Sequence, residues 1–393
     1  MHTLRIRRKQ KEFVEVAATY DGGSPGHLFW LRLRRNGMAM VSLAVIALFT
    51  IIALLGYLLT PDHTPYCNQQ YLELASLKPL SKASFVYLYP DYSDSSTLSA
   101  NPDSPAPYNH KQSPLQTLIH GCPLNATAIP VFSHHTTADT LYAETYTGST
   151  PNDGQQLSIP LAQVKEVGSR TFLFGTDTYG RDVLSQVMIG SRVSLSVGFI
   201  AVAIALLIGI LLGALAAYYG GWVDNLIMWL INVVWSIPTV LLVIAITFAL
   251  GKGFWQVFVA VGLTMWVDVA RVVRGQVLSV KEKEYVEAAR ALGFRTPRII
   301  FAHILPNIIG PVIVITASNF ASAILLEAGL SFLGIGVQPP MPSWGGMVKE
   351  NYSQILLDSA YQAFIPGLAI MVIVLAFMLL GNGIREALDV KNK

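Results

Sequence analysis

The chain has 393 residues, of which 52% are hydrophobic and only 13% charged, with a formal net charge of +3 and a mean hydropathy of +0.48. That balance excludes an ordinary soluble domain and reads as an integral membrane protein, all-α and polytopic. The small basic excess follows from where Lys and Arg fall around the apolar runs rather than from nucleic-acid binding, and two cysteines are too few for a disulfide scaffold.

Residues 1–37 carry Arg5, Arg7, Arg8, Arg32, Arg34 and Arg35 ahead of the uncharged run Ala39 to Leu59. The positive-inside rule places this N-terminal segment in the cytoplasm and makes 38–60 a first transmembrane helix. A cleaved signal peptide fits less well, because Tyr57-Leu58-Leu59-Thr60 offers no small-residue cleavage site.

From Pro61 to about Arg170 the composition turns to Pro, Ser, Thr, Asn and Tyr with no run able to cross a bilayer, so 61–185 reads as a large extracytoplasmic insert of mixed or irregular structure. Alternation in Ser84-Phe85-Val86-Tyr87-Leu88-Tyr89 predicts some strand. Cys67 and Cys122 both lie here, where an oxidising compartment would let them pair; two separate thiols are the alternative. His63, His110, His120, His134 and His135 share the insert, but their spacing fits no compact ligand pattern, so solvated loop histidines and no metal site are expected.

Gly175-Thr176-Asp177-Thr178-Tyr179-Gly180-Arg181-Asp182-Val183-Leu184-Ser185 predicts a tight polar turn with Asp182 capping a following helix. No Lys-Ser or Lys-Thr follows its glycines, which excludes a phosphate loop. A second span is expected over Leu195 to Ala217, with Gly209 and Gly213 spaced for close helix approach, and a third over Leu226 to Leu250, broken by Pro238. The fourth runs from Phe254 to about Val273. Asp268 within it stands three residues before Arg271, at a spacing that allows an ion pair on one helix face. The fifth, from Ile308 to about Leu333, contains Glu327, and the last covers Ala363 to Leu380. Acids inside spans are functional suspects, so Pro238, Asp268 and Glu327 are the candidates for a translocation path. Trp344, beyond the fifth span, suits a membrane interface.

Between spans four and five, Lys281 to Leu292 holds good helix formers, with Lys283, Glu287 and Arg290 at pairing distances. Gly293 supplies a left-handed stop, and Thr296-Pro297 restarts a helix as cap and first residue. The product, over 275–306, is a helix-turn-helix elbow. Lys and Arg concentrate in the N-terminal segment, this elbow and the tail with Arg385, Lys391 and Lys393. Six spans with both termini and the elbow inside is therefore the consistent topology.

Glu287-Ala288-Ala289, Gly293 and Leu305-Pro306, spaced as they are, resemble the cytoplasmic coupling loop of ABC importer permeases, and His303-Ile304-Leu305-Pro306-Asn307 is similar to the form in their oligopeptide and dipeptide branch. The Gly-Thr-Asp/Gly-Arg-Asp turn, Leu325 to Gly334, and Gly336 to Gly345 resemble that branch as well. The resemblance spans the first helix and roughly Gly175 to Val390, which includes the transmembrane domain at 186–390; the large insert departs from it.

It implies a permease subunit, not an enzyme, working with a sister permease, two cytoplasmic ATPase subunits and an extracytoplasmic peptide-binding protein, in the inner (plasma) membrane of a bacterium and with no nucleic-acid partner. No cofactor is then bound by this chain, and ATP and Mg sit on the ATPase subunits. Glu284, Tyr285, Glu287, Ala288, Ala289, Gly293, Leu305 and Pro306 would form the ATPase-coupling surface. The implied cargo is a short peptide, with nickel, glutathione and antimicrobial peptides as alternatives. The only Gly-Lys pair, Gly251-Lys252, lacks the upstream glycine of a nucleotide loop. An ion-coupled secondary transporter would show inverted repeats, and none is evident. An intramembrane hydrolase would need a histidine inside a span, and every histidine lies outside.

Overall fold

The computed structural model describes residues 25–89, 114–122, 126–147, 154–251 and 253–388. The N-terminal residues 1–24, His110, Lys252 and the tail with Lys391 and Lys393 lie outside the described residues.

Helix α1 (Pro25–Arg35) leads into α2 (Gly37–Leu59), whose start is fixed by Asn36. The Asn36 Oδ1 accepts from the Ala39 N–H at 3.1 Å, satisfying one of the free donors of a helix N-terminus. Among the described residues, five helices are long and apolar enough to cross a membrane, and a bent pair makes a sixth if counted as one span. They are α2, α4 (Val183–Tyr219), α7 (Phe254–Val280), α9 (Leu305–Phe332, which continues a turn at Thr296–Arg298 and a π-helical segment at Ile299–Ile304) and α11 (Tyr361–Leu388). The bent pair is α5 (Gly221–Trp235) with α6 (Thr239–Leu250), which meet at 93°.

Pro238 stands at the break in that third span rather than inside a continuous helix. It is the N-cap residue of α6, and Ser236 and Ile237 stand outside both helices. A proline cannot supply the amide that would carry α5 onward, so the chain turns there. The second span is also longer than its apolar run: α4 begins at Val183, twelve residues before Leu195, capped by Asp182, which accepts from the Ser185 N–H at 3.0 Å.

The helices pack closely where their facing residues are small. A Cβ on Gly209 would stand 2.6 Å from Val269 Cβ, and one on Gly213 2.4 Å from the Ala270 carbonyl oxygen. Glycine at these positions is what lets α4 lie against α7, and the pair centres the largest apolar cluster, with Val257, Phe258, Val261 and Val273 all buried.

The described residues between 61 and 182 include a short helix, α3 (Pro114–His120), and more strand than their composition suggests. They hold a five-stranded antiparallel sheet of β1 (Ser81–Leu88), β2 (Thr127–Thr136), β3 (Thr140–Thr145), β4 (Gln156–Pro160) and β5 (Val164–Phe172), in the order β4-β3-β2-β1-β5. Interior β1 pairs on both sides: Val86 faces Ile129 of β2 and Val167 of β5. Alternation then sorts side chains to two faces. Ala83 and Phe85 join Tyr71, Leu74 and Phe172 on one, while Val86 joins Val131, Leu141, Ala143 and Ile159 on the other.

The bundle has two distinct ends. At one, Asn36 Nδ2 donates to Glu386 at 2.8 Å and Gly310, near the start of α9, lies against Leu388, so the start of α2, the end of α11 and the start of α9 are together. At the other, Tyr361 opens α11 with its hydroxyl donating to the Leu77 carbonyl at 2.6 Å, which ties that end to the sheet-bearing segment.

Candidate functional site

Three groups of polar residues stand out against the apolar bundle: the elbow, a cleft beside the broken span, and the turn joining the sheet to α4.

At the elbow, helix α8 (Glu284–Ala291) is shorter than the expected Lys281 to Leu292, because Lys281 and Lys283 cap the two helices on either side of the turn. It buries Val286 and Ala289 against Ile299, Ile300 and Ile304, which belong to the same cluster as Val277 of α7. The opposite side exposes Glu284, Tyr285, Glu287, Ala288 and, at 74% exposure, Leu292.

The helix ends in a Schellman arrangement: Gly293 N–H donates to the Arg290 carbonyl at 2.9 Å and Phe294 N–H to the Ala289 carbonyl at 3.1 Å. Gly293 has φ +75°, in the left-handed region, with open space where a Cβ would stand. Neither expected pair, Lys283 with Glu287 or Glu287 with Arg290, forms an ion pair here. Lys283 precedes the helix as its N-cap, and Arg290 lies over the Tyr218 ring at 5.1 Å. Such exposed pairs gain little in water.

Lys281 Nζ donates to the Ala217 carbonyl at 2.9 Å, near the end of α4. Arg274 grips Asp224 of α5 with two hydrogen bonds of 2.5 and 2.6 Å. Beyond Gly293, the restart is one residue off: Arg295 is the N-cap, and Thr296 and Pro297 are the first two helical residues. His303 stacks on Phe294 at 5.7 Å, Leu305 is half-buried, and Pro306 is exposed in the first turn of α9.

The cleft, about 470 Å³, lies between the broken span, α7 and α9. Trp235 and Thr239 from either side of the break, Thr264 and Asp268 from α7, and Asn319 and Ser322 from α9 contribute its polar lining. Of the three path candidates, Asp268 lines this cleft and Pro238 makes the bend beside it. Glu327 does neither. It is wholly buried, accepting from Ser331 Oγ at 2.7 Å and Ser194 Oγ at 3.4 Å, and so serves as a polar joint between α9 and α4. The expected Asp268–Arg271 ion pair is absent as well, because the Arg271 guanidinium lies over the Trp235 ring at 3.8 Å. Sequence reading passed over Asn319 and Ser322, two small polar residues in a long apolar run. The signal that could have found them is their spacing of three, which puts both on one face of α9.

The third group is the Gly-Thr-Asp/Gly-Arg-Asp turn, which acts as a latch. Asp177 Oδ1 accepts from the N–H groups of Tyr179 and Arg181, both at 2.9 Å, and its Oδ2 from Arg181 Nε at 2.6 Å. Arg181 Nη2 reaches Glu350 on α10 (Trp344–Asn351) at 2.5 Å. Burial pushes the Asp177 carboxyl above the usual carboxylate range, and Arg181 only partly opposes this. Thr176 Oγ1 donates to the Leu74 carbonyl, and Gln362 Nε2 reaches both Ser76 Oγ and the Thr176 carbonyl at 3.0 Å. Trp344 is buried rather than interfacial, its Nε1 donating to the Val187 carbonyl at 2.9 Å.

Cys67 and Cys122 are not joined in this structure. Cys67 Sγ donates to the Asp62 carbonyl at 2.9 Å, and burial raises its thiol well above the usual range.

Compared with known proteins, the chain matches the description "binding-protein-dependent transport system inner membrane component" over residues 209–393. It matches "N-terminal TM domain of oligopeptide transport permease C" over residues 24–79. The dipeptide transport system permease protein DppC of Alkalihalophilus pseudofirmus is 43% identical over 220 residues, which is 56% of this chain and 72% of the relative. The glutathione transport system permease protein GsiD of Pectobacterium atrosepticum is 41% identical over 59% of this chain and 76% of its own. The oligopeptide transport system permease protein OppC of Bacillus subtilis is 38% identical over 57% of this chain and 73% of its own.

Proposed function

This chain belongs to the family of binding-protein-dependent transport system inner membrane components, and we propose that it is the permease subunit of an ATP-driven importer whose cargo is a short peptide. The relatives carry the names of dipeptide, glutathione and oligopeptide transport permeases, and all three cargoes are short peptides. These relatives are permease subunits, and the chemistry of ATP hydrolysis, with ATP and Mg, belongs in this reading to two separate ATPase subunits. A sister permease and an extracytoplasmic binding protein complete the importer.

In this reading the chain is a multi-pass protein of the plasma membrane with six spans, α5 and α6 counting as one. The bundle end that gathers Asn36, Gly310 and Leu388 faces the cytoplasm with both termini and the elbow, as the Lys and Arg distribution favours. The sheet faces outward. An outer compartment is oxidising, so the pairing of Cys67 with Cys122 belongs to the same reading. The two meet at one loop: Cys122 N–H donates to the His63 carbonyl at 2.7 Å, next to the Asp62 carbonyl that holds the Cys67 thiol.

The observation that carries the reading is the elbow. Helix α8 is packed by Val286 and Ala289 into the core shared by α7 and α9, so a push on it is passed to two spans at once. Its outer face offers Tyr285, Glu287, Ala288 and Leu292, an apolar and acidic surface left exposed among the described residues. Closure of an ATPase dimer against this face would tilt α7 and α9 and open the bundle to one side or the other.

The test uses the complete importer in liposomes, with uptake of a labelled tripeptide as readout. Valine at position 293 meets no steric obstacle but must take φ near +75°, at a cost of about 1–2 kcal/mol. Gly293→Val is expected to insert and assemble normally while uptake falls at least tenfold. Wild-type uptake by this variant would refute the coupling role.

A further inference from the structure

The search for a site beyond the elbow leads to the cleft, because among the described residues it holds a buried amide without a hydrogen-bond partner and an exposed carboxylate with no cation within ion-pair distance. Asn319 is 4% exposed, and its Nδ2 has no hydrogen-bond partner. A buried amide donor left without a partner costs about 1–3 kcal/mol. Across from it on α7, Asp268 is the single charged residue of the lining and has no cation within ion-pair distance among the described residues. Arg271, one turn along, is held over Trp235 instead. At about 470 Å³ the cleft falls in the range of small-molecule sites, about 300–1,000 Å³.

We infer that this cleft is a subsite for the free amino end of a peptide in transit, with the Asp268 carboxylate accepting from its ammonium group and the Asn319 side chain, whose Nδ2 is closed to water in this state, turning to donate to its first carbonyl. This rests on the reading of the chain as a peptide permease and names the residues of the path. An ammonium group and a carbonyl are what peptides of different sequence share, so two groups that read only these suit a passage that must accept many side chains. The remaining walls, Met265, Leu326 and Leu330 with the Trp235 ring, present apolar surface to whatever side chain follows. Ser322, one turn from Asn319, adds a hydroxyl that can donate or accept. The 93° bend beside Pro238 places the ends of α5 and α6 at this cleft, so the break in the third span and the site are one feature.

The experiment reconstitutes the complete importer in liposomes and measures two quantities with labelled tri-alanine: ATP hydrolysis stimulated by the loaded binding protein, and peptide imported per ATP hydrolysed. Asp268→Asn and Asn319→Ala are each expected to lower peptide per ATP about tenfold, equivalent to about 1.4 kcal/mol, while stimulated hydrolysis stays within twofold. Asp268→Glu, which keeps the carboxylate, is expected to recover most of the ratio. Unchanged peptide per ATP in both variants would overturn the subsite and leave the peptide reading intact. Failure of Asp268→Asn to co-purify with the sister permease would also overturn it, because the cleft would then be a seat for that subunit. A wild-type complex that imports no tri-alanine would sink the peptide reading and the subsite together.

Discussion

Replacing Arg181 by alanine tests whether the latch holds the sheet to the bundle. The guanidinium is 7% exposed and links Asp177, 4% exposed, to Glu350, 26% exposed. Its loss leaves Glu350 able to rehydrate but leaves the Asp177 carboxylate buried with only the Tyr179 and Arg181 amides as donors. Breaking a buried pair in this way costs about 3–5 kcal/mol, which corresponds to roughly a hundredfold or more in a local opening equilibrium. Hydrogen exchange of the amides of Thr176, Asp177 and Gly180, all bonded within the latch, reads that opening directly.

Exchange there should quicken about a hundredfold in Arg181→Ala, while amides of α7 stay protected. The double variant Asp177→Asn/Arg181→Met should be less perturbed than Arg181→Ala alone, because asparagine keeps an oxygen for the two amides and no charge is stranded. The sign with pH also follows. Burial raises the folded Asp177 carboxyl above its unfolded range, so its contribution is full at low pH and is lost as pH rises through the folded value. The ratio of variant to wild-type exchange should therefore shrink as pH is lowered from 7 toward 5. A double variant as perturbed as Arg181→Ala, with no pH trend, would refute the latch.

Two further outcomes concern the outer segment. Under non-reducing conditions neither Cys67 nor Cys122 should take a thiol-alkylating label, and both should after reduction; a bond across that loop would stabilise the segment by about 4 kcal/mol on the chain-entropy model, and labelling of both thiols in the untreated protein would refute the pairing. Replacing Thr127–Pro160 by a short Gly-Ser linker removes β2, β3 and β4 but leaves β1 on β5 and the latch intact. The trimmed protein should assemble with its ATPase subunits yet dock its binding protein at least threefold more weakly at low salt, and full docking and transport would show the outer strands to be dispensable.

What the sequence showed and what it hid divide along one physical line. Spans, helix caps and the stop at Gly293 depend on residues a few positions apart, so apolar runs and cap chemistry carry them: Asp182 caps α4 as its position before Val183-Leu184-Ser185 suggests. Features that depend on which distant residues meet are not carried by spacing. The alternation around Phe85 and Val86 announces a strand, but the interior place of β1 depends on Val86 meeting both Ile129 and Val167, two partners far apart in the chain.

The two acids within spans make the same point more sharply. Asp268 and Glu327 look alike in sequence, each a lone carboxyl in an apolar run. Only the neighbours that folding supplies separate them. Ser331 and Ser194 close around Glu327 and satisfy it from within the protein, whereas Arg271, the partner that spacing offered to Asp268, is drawn away to Trp235 at the break beside Pro238. A carboxyl satisfied internally is a joint. One that lines a cleft, with no cation within ion-pair distance among the described residues, is the group on which the proposed subsite is built.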